Sequence, residues 1–454
     1  MLRKGYMSFK YQAIKVNDSQ WILDKGVSTP ITIFMNDKLY DASEEEMWKQ
    51  ATWATTIPSV QKIIITPDAH AGAGVPVGIV VATKDHIAPC AAGYDISCGM
   101  IFLKTSLTKD DIFSKEIRRS LMKNIENKVA LGAGSHRALK QINIKGNTFI
   151  EILQYGLEAL NVNKKIQAKF EKPYYKINEY EHFEKAVNRG CGQLSSLGGG
   201  NHFWELQQSD DGQVGVMIHT GSRGYGHQIA TDFFNEGLEW WNSNHTEKLS
   251  KNLKEQISFP VESRIGKRYI NAMKQAANFA ITNRYLIALA TIEVFQEIFK
   301  ITPEIYYEIS HNFVHEENNL LVHRKGATRA LPANHQLLNG TEYSQTGHPI
   351  LIPGSMGTYS TILMPKNSEK SLYSVNHGCG RVMSRGHAKK ILDQLQVNKA
   401  MDDMDILYNG RDVPIDESLN CYKDIDEVIN TVESSGLAKV ITNLWPRAVI
   451  KGND

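Results

Sequence analysis

Four histidines of this chain lie where a strand-like run meets a loop rich in glycine or asparagine: His202, His219, His311 and His377. Runs of β-branched and aromatic residues, such as 214–218 and 303–309, predict strands beside two of them. One histidine at a strand end is more often a hydrogen-bonded polar residue than a ligand. Because strand ends of one sheet can converge on a point, four such histidines predict a sheet-based fold with a shared site.

A second feature places a carboxylate and a thiol close together. Asp95 and Cys98 lie between Gly93 and Gly99, directly before the apolar run 100–103, which is typical of a strand. Taken alone, such a pair is more often a buried structural cysteine beside a turn aspartate than a ligand pair. Together with the histidines it offers N, O and S ligands, which suit a transition metal better than the all-oxygen preference of magnesium or calcium. More than four such ligands allow two ions bridged by the thiolate.

The composition limits the function classes. With 42% hydrophobic and 22% charged residues, the chain resembles a soluble globular protein. The net charge of +2 gives no global field that attracts nucleic acid, so such binding would need a local patch. No apolar run approaches the roughly 18 residues that span a bilayer, and no signal peptide is recognisable. We expect a cytoplasmic protein without a membrane partner, since its cysteines form no CxxC pair or regular framework: Cys90, Cys98, Cys191, Cys379 and Cys421.

Strand-like and helix-like segments alternate without a repeat. Further strands are predicted over 61–66, 77–82 and 371–375. Apolar residues at helical spacing predict helices over 108–127, 149–160, 228–241 and 268–300. Residues 161–190 show little periodicity, which leaves an exposed connection and a surface helix pair as alternatives.

Two segments have the composition of a phosphate-binding site. Residues 323–329 hold four basic side chains around a glycine, and 352–360 form a Gly/Ser/Thr loop whose N–H groups could bind an anion. A solvated basic turn and a simple β-turn explain them equally well. The sequence has no GxxxxGK[ST], GxGxxG or Lys-x-Asp-Gly motif. If a nucleotide becomes covalently attached, His377 is the candidate nucleophile, since Gly378 and Gly380 leave room for phosphate.

Six motifs, in this order, resemble those of the RtcB family: 95–100, 199–203, 219–224, 311–312, 353–357 and 377–381. Members of that family are GTP- and manganese-dependent RNA ligases of tRNA splicing and RNA repair. They join a 3′-phosphate or 2′,3′-cyclic phosphate end to a 5′-hydroxyl end. The resemblance runs from about Pro67 to the last residues. It implies an α+β fold, a single large domain over 1–454 with mixed β-sheets, surrounding helices and a site between the sheets.

The resemblance also implies roles for single residues. Asp95, Cys98 and His202 would hold one Mn²⁺, and Cys98, His219 and His311 a second. His377 would attack the α-phosphate of GTP and become guanylylated. The positions that surround the nucleotide in the family match Asn201, His202, Phe203, Trp204, Glu205, His311, Asn312, Pro353, Gly354, Ser355, Met356, Ser360, His377, Gly378, Cys379, Gly380, Tyr422 and Lys451.

Other expectations concern substrates and partners. Asp68 and His70 match a Pro-Asp-x-His segment of the family, to which we assign substrate positioning. On charge alone, the candidates for contacts with the RNA backbone are Arg223, Arg324, Lys325 and Arg329. Some members of the family require an activator of the archease type, which makes such a protein an expected partner.

The chain departs from the family pattern at two places. It has Ile96-Ser97 where Val-Gly is more common, and Cys379 where alanine is usual. Two other function classes stay open at this point. A metal-dependent phosphoesterase would act on RNA ends with the same ligands but without a covalent GMP–histidine. A non-catalytic RNA-binding module is disfavoured by the nearly neutral charge and the complete ligand set.

Overall fold

Strands and helices alternate along the computed structural model, which describes residues 9–136 and 144–452. In these ranges the strands are β1 (Ile14–Asn17), β2 (Gln20–Leu23), β3 (Ile31–Ile33), β4 (Val60–His70), β5 (Val77–Thr83), β6 (His86–Ile87), β7 (Gly99–Thr108), β8 (Phe203–Ser209), β9 (Gln213–Thr220), β10 (Phe259–Pro260), β11 (Glu304–Ser310), β12 (Asn312–Glu317), β13 (Leu320–Lys325), β14 (Ala327–Arg329), β15 (Ile350–Ile352), β16 (Ser360–Pro365), β17 (Ser374–Asn376), β18 (Leu407–Tyr408) and β19 (Ala438–Ile450). The α-helices are α1 (Asp37–Asp41), α2 (Glu45–Ala54), α3 (Lys115–Lys128), α4 (Gly146–Tyr155), α5 (Lys164–Gln167), α6 (Glu184–Gly190), α7 (Arg223–Asn244), α8 (Arg264–Phe299), α9 (Arg385–Ile391), α10 (Gln394–Asp403) and α11 (Ile425–Ser434).

Two large mixed sheets carry most of these strands. The first has the order β1-β2-β3-β4-β5-β13-β12, in which β3 and β4 are parallel. The second has the order β11-β7-β9-β8-β19-β16-β15, with β18 parallel beside β19. Two small ladders, β6 with β10 and β14 with β17, complete the described pairing. The predicted α+β class is confirmed, whereas the predicted domain ends, residues 1 and 454, lie outside the described residues.

The long helix α8 packs across the second sheet. It begins after Ser263, whose hydroxyl accepts a hydrogen bond from the Gly266 N–H, and it ends at Lys300 in the left-handed conformation. Its contacts with β7 and β9 bury a continuous row of alanine, isoleucine and aromatic side chains. The helix therefore supports the sheet from one side and leaves the strand ends open on the other. None of the described helices is both long and apolar enough to cross a lipid bilayer.

Most predicted elements are confirmed, and local backbone geometry explains the differences. The helix expected over 108–127 begins only at Lys115, because the Ser114 hydroxyl caps its N-terminus. The helix expected over 149–160 ends at Tyr155, since Gly156 has a φ of +52°. The strand expected over 371–375 is confined to β17, because Leu372 and Tyr373 adopt left-handed φ angles. Residues 161–190 contain only the short helices α5 and α6 within irregular chain, which matches neither alternative fully.

Candidate metal and nucleotide site

The register of the second sheet brings distant residues to one point. On β7, Met100 lies opposite His219 of β9, and His219 also lies opposite Phe203, the first residue of β8. Gly99 lies opposite Ser310, the last residue of β11. Cys98, His202 and His311 are the direct chain neighbours of these paired residues, so the ligand candidates meet at one end of the sheet. The predicted convergence of the strand ends is confirmed.

Five side chains form two groups of three potential metal ligands that share Cys98. The Cys98 Sγ lies 3.3 Å from His202 Nε2 and 3.1 Å from His219 Nε2. On one side, His202 Nε2 lies 3.0 Å from Asp95 Oδ2. On the other side, His219 Nε2 faces His311 Nε2 at 3.3 Å. Within each group the ligand atoms lie within 4.8 Å of one another, an arrangement that fits two cations bridged by sulfur.

Backbone carbonyls orient the histidines as ligands. The Nδ1 of His202 lies 3.1 Å from the Leu197 carbonyl oxygen, and the Nδ1 of His219 lies 3.2 Å from that of Asn201. A proton on Nδ1 donated to the carbonyl leaves the Nε2 lone pair free for a metal. Burial also holds the pKa values of His219 and His311 well below that of a free histidine. Burial therefore favours the neutral imidazole, which is the form that binds a cation.

The two acidic ligands are held differently. Asp95 Oδ1 accepts hydrogen bonds from the Ser222 N–H at 2.9 Å and from the Ser222 hydroxyl at 3.2 Å. A Cβ on Gly221 would come within 2.3 Å of the Asp95 carboxylate, so glycine is required there for this close approach. Burial and the charge of Asp95 raise the pKa of the Cys98 thiol well above its ordinary value. A cation held by these residues would stabilise the thiolate and so oppose this effect.

Ser97 shows how the first departure from the family pattern is accommodated. Its φ of +57° lies in the left-handed region, which explains why glycine is common at this position. A serine in this conformation costs about 1 kcal/mol. The Ser97 N–H donates to the Asn312 carbonyl oxygen at 2.6 Å, and the ligand atoms still converge. The departure therefore leaves the geometry of the ligand groups intact.

Arg284 is a supporting residue that the sequence patterns did not indicate. It is fully buried on α8, and its Nη1 donates to the Ser97 carbonyl oxygen at 2.7 Å and to that of Thr220 at 3.0 Å. Its guanidinium pairs with Glu308 of β11. The arginine thus joins the chain segments next to Cys98 and His219. Its position within an apolar helix offers no sequence signal for this role.

His377 lies beside the ligand groups and is oriented by Asp68. Its ring centroid is 5.0 Å from that of His311. The His377 Nδ1 lies 2.6 Å from Asp68 Oδ2, and the N–H groups of His377 and Gly378 donate to the same oxygen. Although burial opposes ionisation, the charge and hydrogen bond of His377 hold the pKa of Asp68 below its ordinary value. A proton on Nδ1 then leaves the His377 Nε2 lone pair free to act as a nucleophile.

Close backbone packing completes this contact. Asp68 lies near the end of β4, and a Cβ on Gly380 would come within 2.0 Å of its carbonyl oxygen. The Asp68 Oδ1 accepts a hydrogen bond from the Thr66 hydroxyl at 2.6 Å. We expected Asp68 to position the substrate. In the structure its carboxylate contacts His377 and orients that imidazole.

Replacing Asp68 by asparagine should slow any reaction in which His377 is the nucleophile by about 10²- to 10⁴-fold. The neutral amide no longer stabilises the positive charge that the imidazole acquires when Nε2 forms a bond. The rate of transfer to His377 under single-turnover conditions measures the effect. Thr66→Val is the matched control, since it removes the hydroxyl's bonds to Asp68 Oδ1 and to the Gly78 carbonyl oxygen but leaves the Oδ2 contact with His377 in place. Equal rates in Asp68→Asn and the parent protein would contradict this role.

A cleft next to the ligand groups brings together most of the predicted nucleotide residues. Its lining includes Asn201, Phe203, Glu205, His311, Asn312, Pro353, Gly354, Ser355, Met356, His377, Gly378, Cys379, Gly380, Tyr422 and Lys451. His202 lines a second cavity on the other side of the ligand groups. Trp204 points away from the cleft into the core, where its Nε1 donates to the Thr291 hydroxyl at 3.0 Å. Ser360 lies behind the lining, 3.1 Å from the Gly354 nitrogen.

Charged groups converge at the far end of the cleft. Glu417 accepts hydrogen bonds from Lys451 Nζ at 3.0 Å, from the Tyr422 hydroxyl at 2.6 Å and from Arg381 at 3.2 Å. Glu205 lines the same region, and burial raises the pKa of its carboxyl to about 8. The Cys379 thiol, the second departure from the family pattern, lies 3.7 Å from the Pro353 carbonyl oxygen. Burial raises the pKa of this thiol, which keeps it protonated.

Most of the basic residues that we expected to contact the RNA backbone are buried in the protein. Arg324 and Arg329 are buried and paired with Glu317, so the prediction is wrong for both. Lys325 is also buried, and its Nζ donates to the carbonyl oxygens of Ala73 and Val75 at 2.6 and 2.8 Å. Lys325 nevertheless lines the cleft, and Arg223 lines the second cavity. Charge in the sequence could not reveal the internal acids that neutralise the other arginines.

Comparisons with known proteins agree with this geometry. A family model described as tRNA-splicing ligase RtcB matches residues 50–452. Three proteins named tRNA-splicing ligase RtcB are similar to this chain along nearly their whole length. That of Nanoarchaeum equitans is 34% identical over 488 residues, which cover 96% of this chain and 99% of that protein. That of Pyrobaculum aerophilum is 32% identical over 489 residues, with the same coverage.

The third, from Thermococcus kodakarensis, is 33% identical over 490 residues, which cover 94% of this chain and 96% of that protein. The range matched by the family model includes both candidate ligand groups, Asp68, His377 and all residues that line the cleft. On these similarities the chain belongs to the RtcB family.

Proposed function

We propose that the protein is a GTP-dependent RNA ligase that joins 3′-phosphate or 2′,3′-cyclic phosphate ends to 5′-hydroxyl ends through a GMP–histidine intermediate. One observation carries the proposal. A histidine oriented by a buried carboxylate, His377 with Asp68, lies in one cleft with two ligand groups that share Cys98. The names of the relatives, tRNA-splicing ligases, support RNA as the substrate and tRNA splicing as the process, and a role in RNA repair belongs to the same proposal. A single domain over 1–454 and an activator of the archease type belong to the same proposal.

The ligand groups fit two Mn²⁺ ions. Asp95, Cys98 and His202 would hold one ion, and Cys98, His219 and His311 the other. The mixture of one carboxylate, one thiolate and three imidazoles suits a transition metal and does not suit an all-oxygen Mg²⁺ site. When bound, the cations would neutralise the triphosphate and polarise the α-phosphate.

The far end of the cleft suits guanine. A carboxylate such as Glu205 can accept hydrogen bonds from the guanine N1–H and N2–H, and the Lys451 ammonium can donate to O6. Adenine has an acceptor at N1 and an amino group at C6, so it matches neither partner. Phe203 and Tyr422 add aromatic faces to the same lining. These residues support GTP as the nucleotide.

His377 would carry out the first chemical step. Its Nε2 lone pair forms a bond to the α-phosphorus of GTP, the bond to the β-phosphate oxygen breaks, and pyrophosphate leaves. Asp68 stabilises the positive charge that develops on the imidazole. GMP then passes from His377 to an RNA 3′-phosphate, which is produced by hydrolysis where the end is cyclic. Attack by the 5′-hydroxyl joins the strands and releases GMP.

The second cavity is our proposed position for the RNA ends. It lies on the other side of Asp95 and His202 and is lined by Arg189, Arg223 and His227 among other polar residues. Two arginines and the N-terminus of α7 provide the positive potential that phosphate oxygens require. We also propose a cytoplasmic location, since all five cysteines are free thiols.

Incubation of the manganese-loaded protein with α-labelled GTP should give an acid-labile, alkali-stable label on the protein, visible on a denaturing gel. Addition of RNA with a 2′,3′-cyclic phosphate and a 5′-hydroxyl should discharge the label and yield a joined strand. Cyclic phosphate opening without label or joining would favour a metal-dependent phosphoesterase. RNA binding with neither reaction would favour a binding module, and both outcomes would refute the ligase proposal.

A further inference from the structure

Gln207 lies behind the guanine end of the cleft and has no part in the function proposed so far. It is on β8, two residues after Glu205, so both side chains point to the same face of the sheet. Its side chain is fully buried, and it is absent from the cleft lining among the described residues. Any effect on a nucleotide must therefore pass through a neighbour.

The Gln207 amide donates to two groups that were both assigned to the nucleotide. Its Nε2 lies 2.6 Å from Glu205 Oε1 and 2.9 Å from the Ser360 hydroxyl oxygen. Both amide hydrogens are thus engaged, and each side chain fixes the rotamer of the other. Among the described residues, no other side-chain hydrogen bond to the Glu205 carboxylate is found. Its Oε2 is therefore left for a ligand in the cleft.

Ser360 anchors the amide from β16, which lies in the same sheet as β8 and is separated from it by β19. Its hydroxyl oxygen accepts from Gln207 and also from the Gly354 N–H at 3.1 Å. Gly354 belongs to the loop that lines the cleft. A chain of hydrogen bonds therefore connects this loop, Ser360, Gln207 and Glu205. In a buried setting such a chain restricts each member to one orientation.

We propose that Gln207 is a positioning residue for purine selection, which holds the Glu205 carboxylate in the orientation that accepts the N1–H and N2–H of guanine. The inference rests on the proposed use of GTP and extends it to a residue that does not touch the nucleotide. Loss of the amide frees the carboxylate to rotate. It also favours the protonated acid, which can donate to N1 of adenine and so weakens the preference for guanine.

The charges around Glu205 determine how the affinity for a guanine nucleotide should change with pH. Burial raises the pKa of Glu205 to about 8, while the hydrogen bond from Gln207 and the charge of Lys451 lower it. The residue opposite on β9 is Met217 and the one opposite on β19 is Val449, and both are uncharged. Binding of guanine requires the ionised acid, so affinity rises with pH until Glu205 is deprotonated. Removal of the Gln207 bond raises the pKa further and moves this rise to higher pH.

The test uses the full chain loaded with Mn²⁺ and non-hydrolysable α,β-methylene analogues of GTP and ATP. Isothermal titration between pH 6 and 9 gives the two affinities for the parent protein and for Gln207→Leu. We expect a loss of about ten- to a hundredfold for the GTP analogue at pH 7, as for a hydrogen bond to a charged group. The ATP analogue should be unaffected or bind better. At the highest pH the GTP affinity should recover, which a misfolded variant would not show.

Gln208→Leu is the matched control. Gln208 is the next residue on β8, points to the opposite face and accepts a hydrogen bond from Arg447 at 3.1 Å. The Gln208→Leu protein should bind both analogues with the same affinities and the same pH dependence as the parent protein. Ser360→Ala is a second variant, which removes the anchor of the amide and should shift the profile in the same direction as Gln207→Leu.

The outcomes separate the two proposals. A parent protein that binds both analogues equally, or neither, would refute the proposed use of GTP and this inference with it. A parent protein that prefers the GTP analogue, with an unchanged preference and pH profile in Gln207→Leu, would refute the inference alone. Equal losses for both analogues at every pH would also refute it, because they would indicate a purely structural role.

Discussion

Replacing His377 by alanine is expected to abolish the protein–GMP adduct, a loss of roughly 10⁴-fold or more. The imidazole supplies the only electron pair that the proposed first step uses, and its Nδ1 is already bound to Asp68 at 2.6 Å. Labelling with α-labelled GTP and Mn²⁺, followed by a denaturing gel, measures the adduct. The manganese content should stay at the level of the parent protein, because His377 belongs to neither ligand group.

His70→Ala is the matched control for this experiment. His70 lines the same cleft, and its ring centroid is 6.4 Å from that of His377. Its Nδ1 faces the carbonyl oxygen of Asp68 rather than the carboxylate. The adduct should therefore persist in His70→Ala. A label that survives in His377→Ala would show that another residue is the nucleophile and would overturn the assignment.

Replacing Cys98 by alanine is expected to reduce the number of bound Mn²⁺ ions from two to none. The Sγ is the one ligand atom common to both groups, and without it each group retains only two ligands. Elemental analysis after equilibration with Mn²⁺ measures the stoichiometry. Adduct formation should fall below detection with the same variant, because no cation remains to neutralise the triphosphate.

Two further variants make this test specific. Cys90→Ala removes another buried cysteine that belongs to neither ligand group, and it should retain both ions. His311→Ala removes a ligand from one group only, so it should retain the ion held by Asp95, Cys98 and His202. Loss of a single ion in Cys98→Ala would contradict the bridging role of the thiolate.

The candidate ligands could be predicted from the sequence because their signals are local, whereas their division into two groups came from the resemblance to the RtcB family. Asp95 and Cys98 are three residues apart beside glycines, His202 and His311 directly flank a strand, and His219 lies at the end of one. Local spacing also predicted the strands and long helices, since side-chain periodicity depends only on neighbouring residues. Where the backbone turned left-handed, as at Leu372 and Tyr373, this periodicity failed.

Partners that are remote in the chain could not be predicted. Asp68 and His377 are 309 positions apart, and only the packing of β17 against β4 makes them a pair. Arg324 and Arg329 share the sequence pattern of a basic surface loop, yet the structure buries both beside Glu317. Burial and ion pairing depend on the final packing, so charge along the chain does not reveal them.

The sequence by itself therefore indicated the candidate ligands and a candidate nucleophile, and its motifs gave the resemblance to a family that divides those ligands into two groups. The tertiary structure alone decided which carboxylate orients His377, which arginine supports the ligand groups and which glutamine holds Glu205. The physical reason is that sequence patterns report on residues close together in the chain, whereas most of these contacts join residues far apart in it. Residue type and spacing fix what a side chain can do, whereas its partner, its orientation and its exposure to water arise only when separate strands and helices pack together.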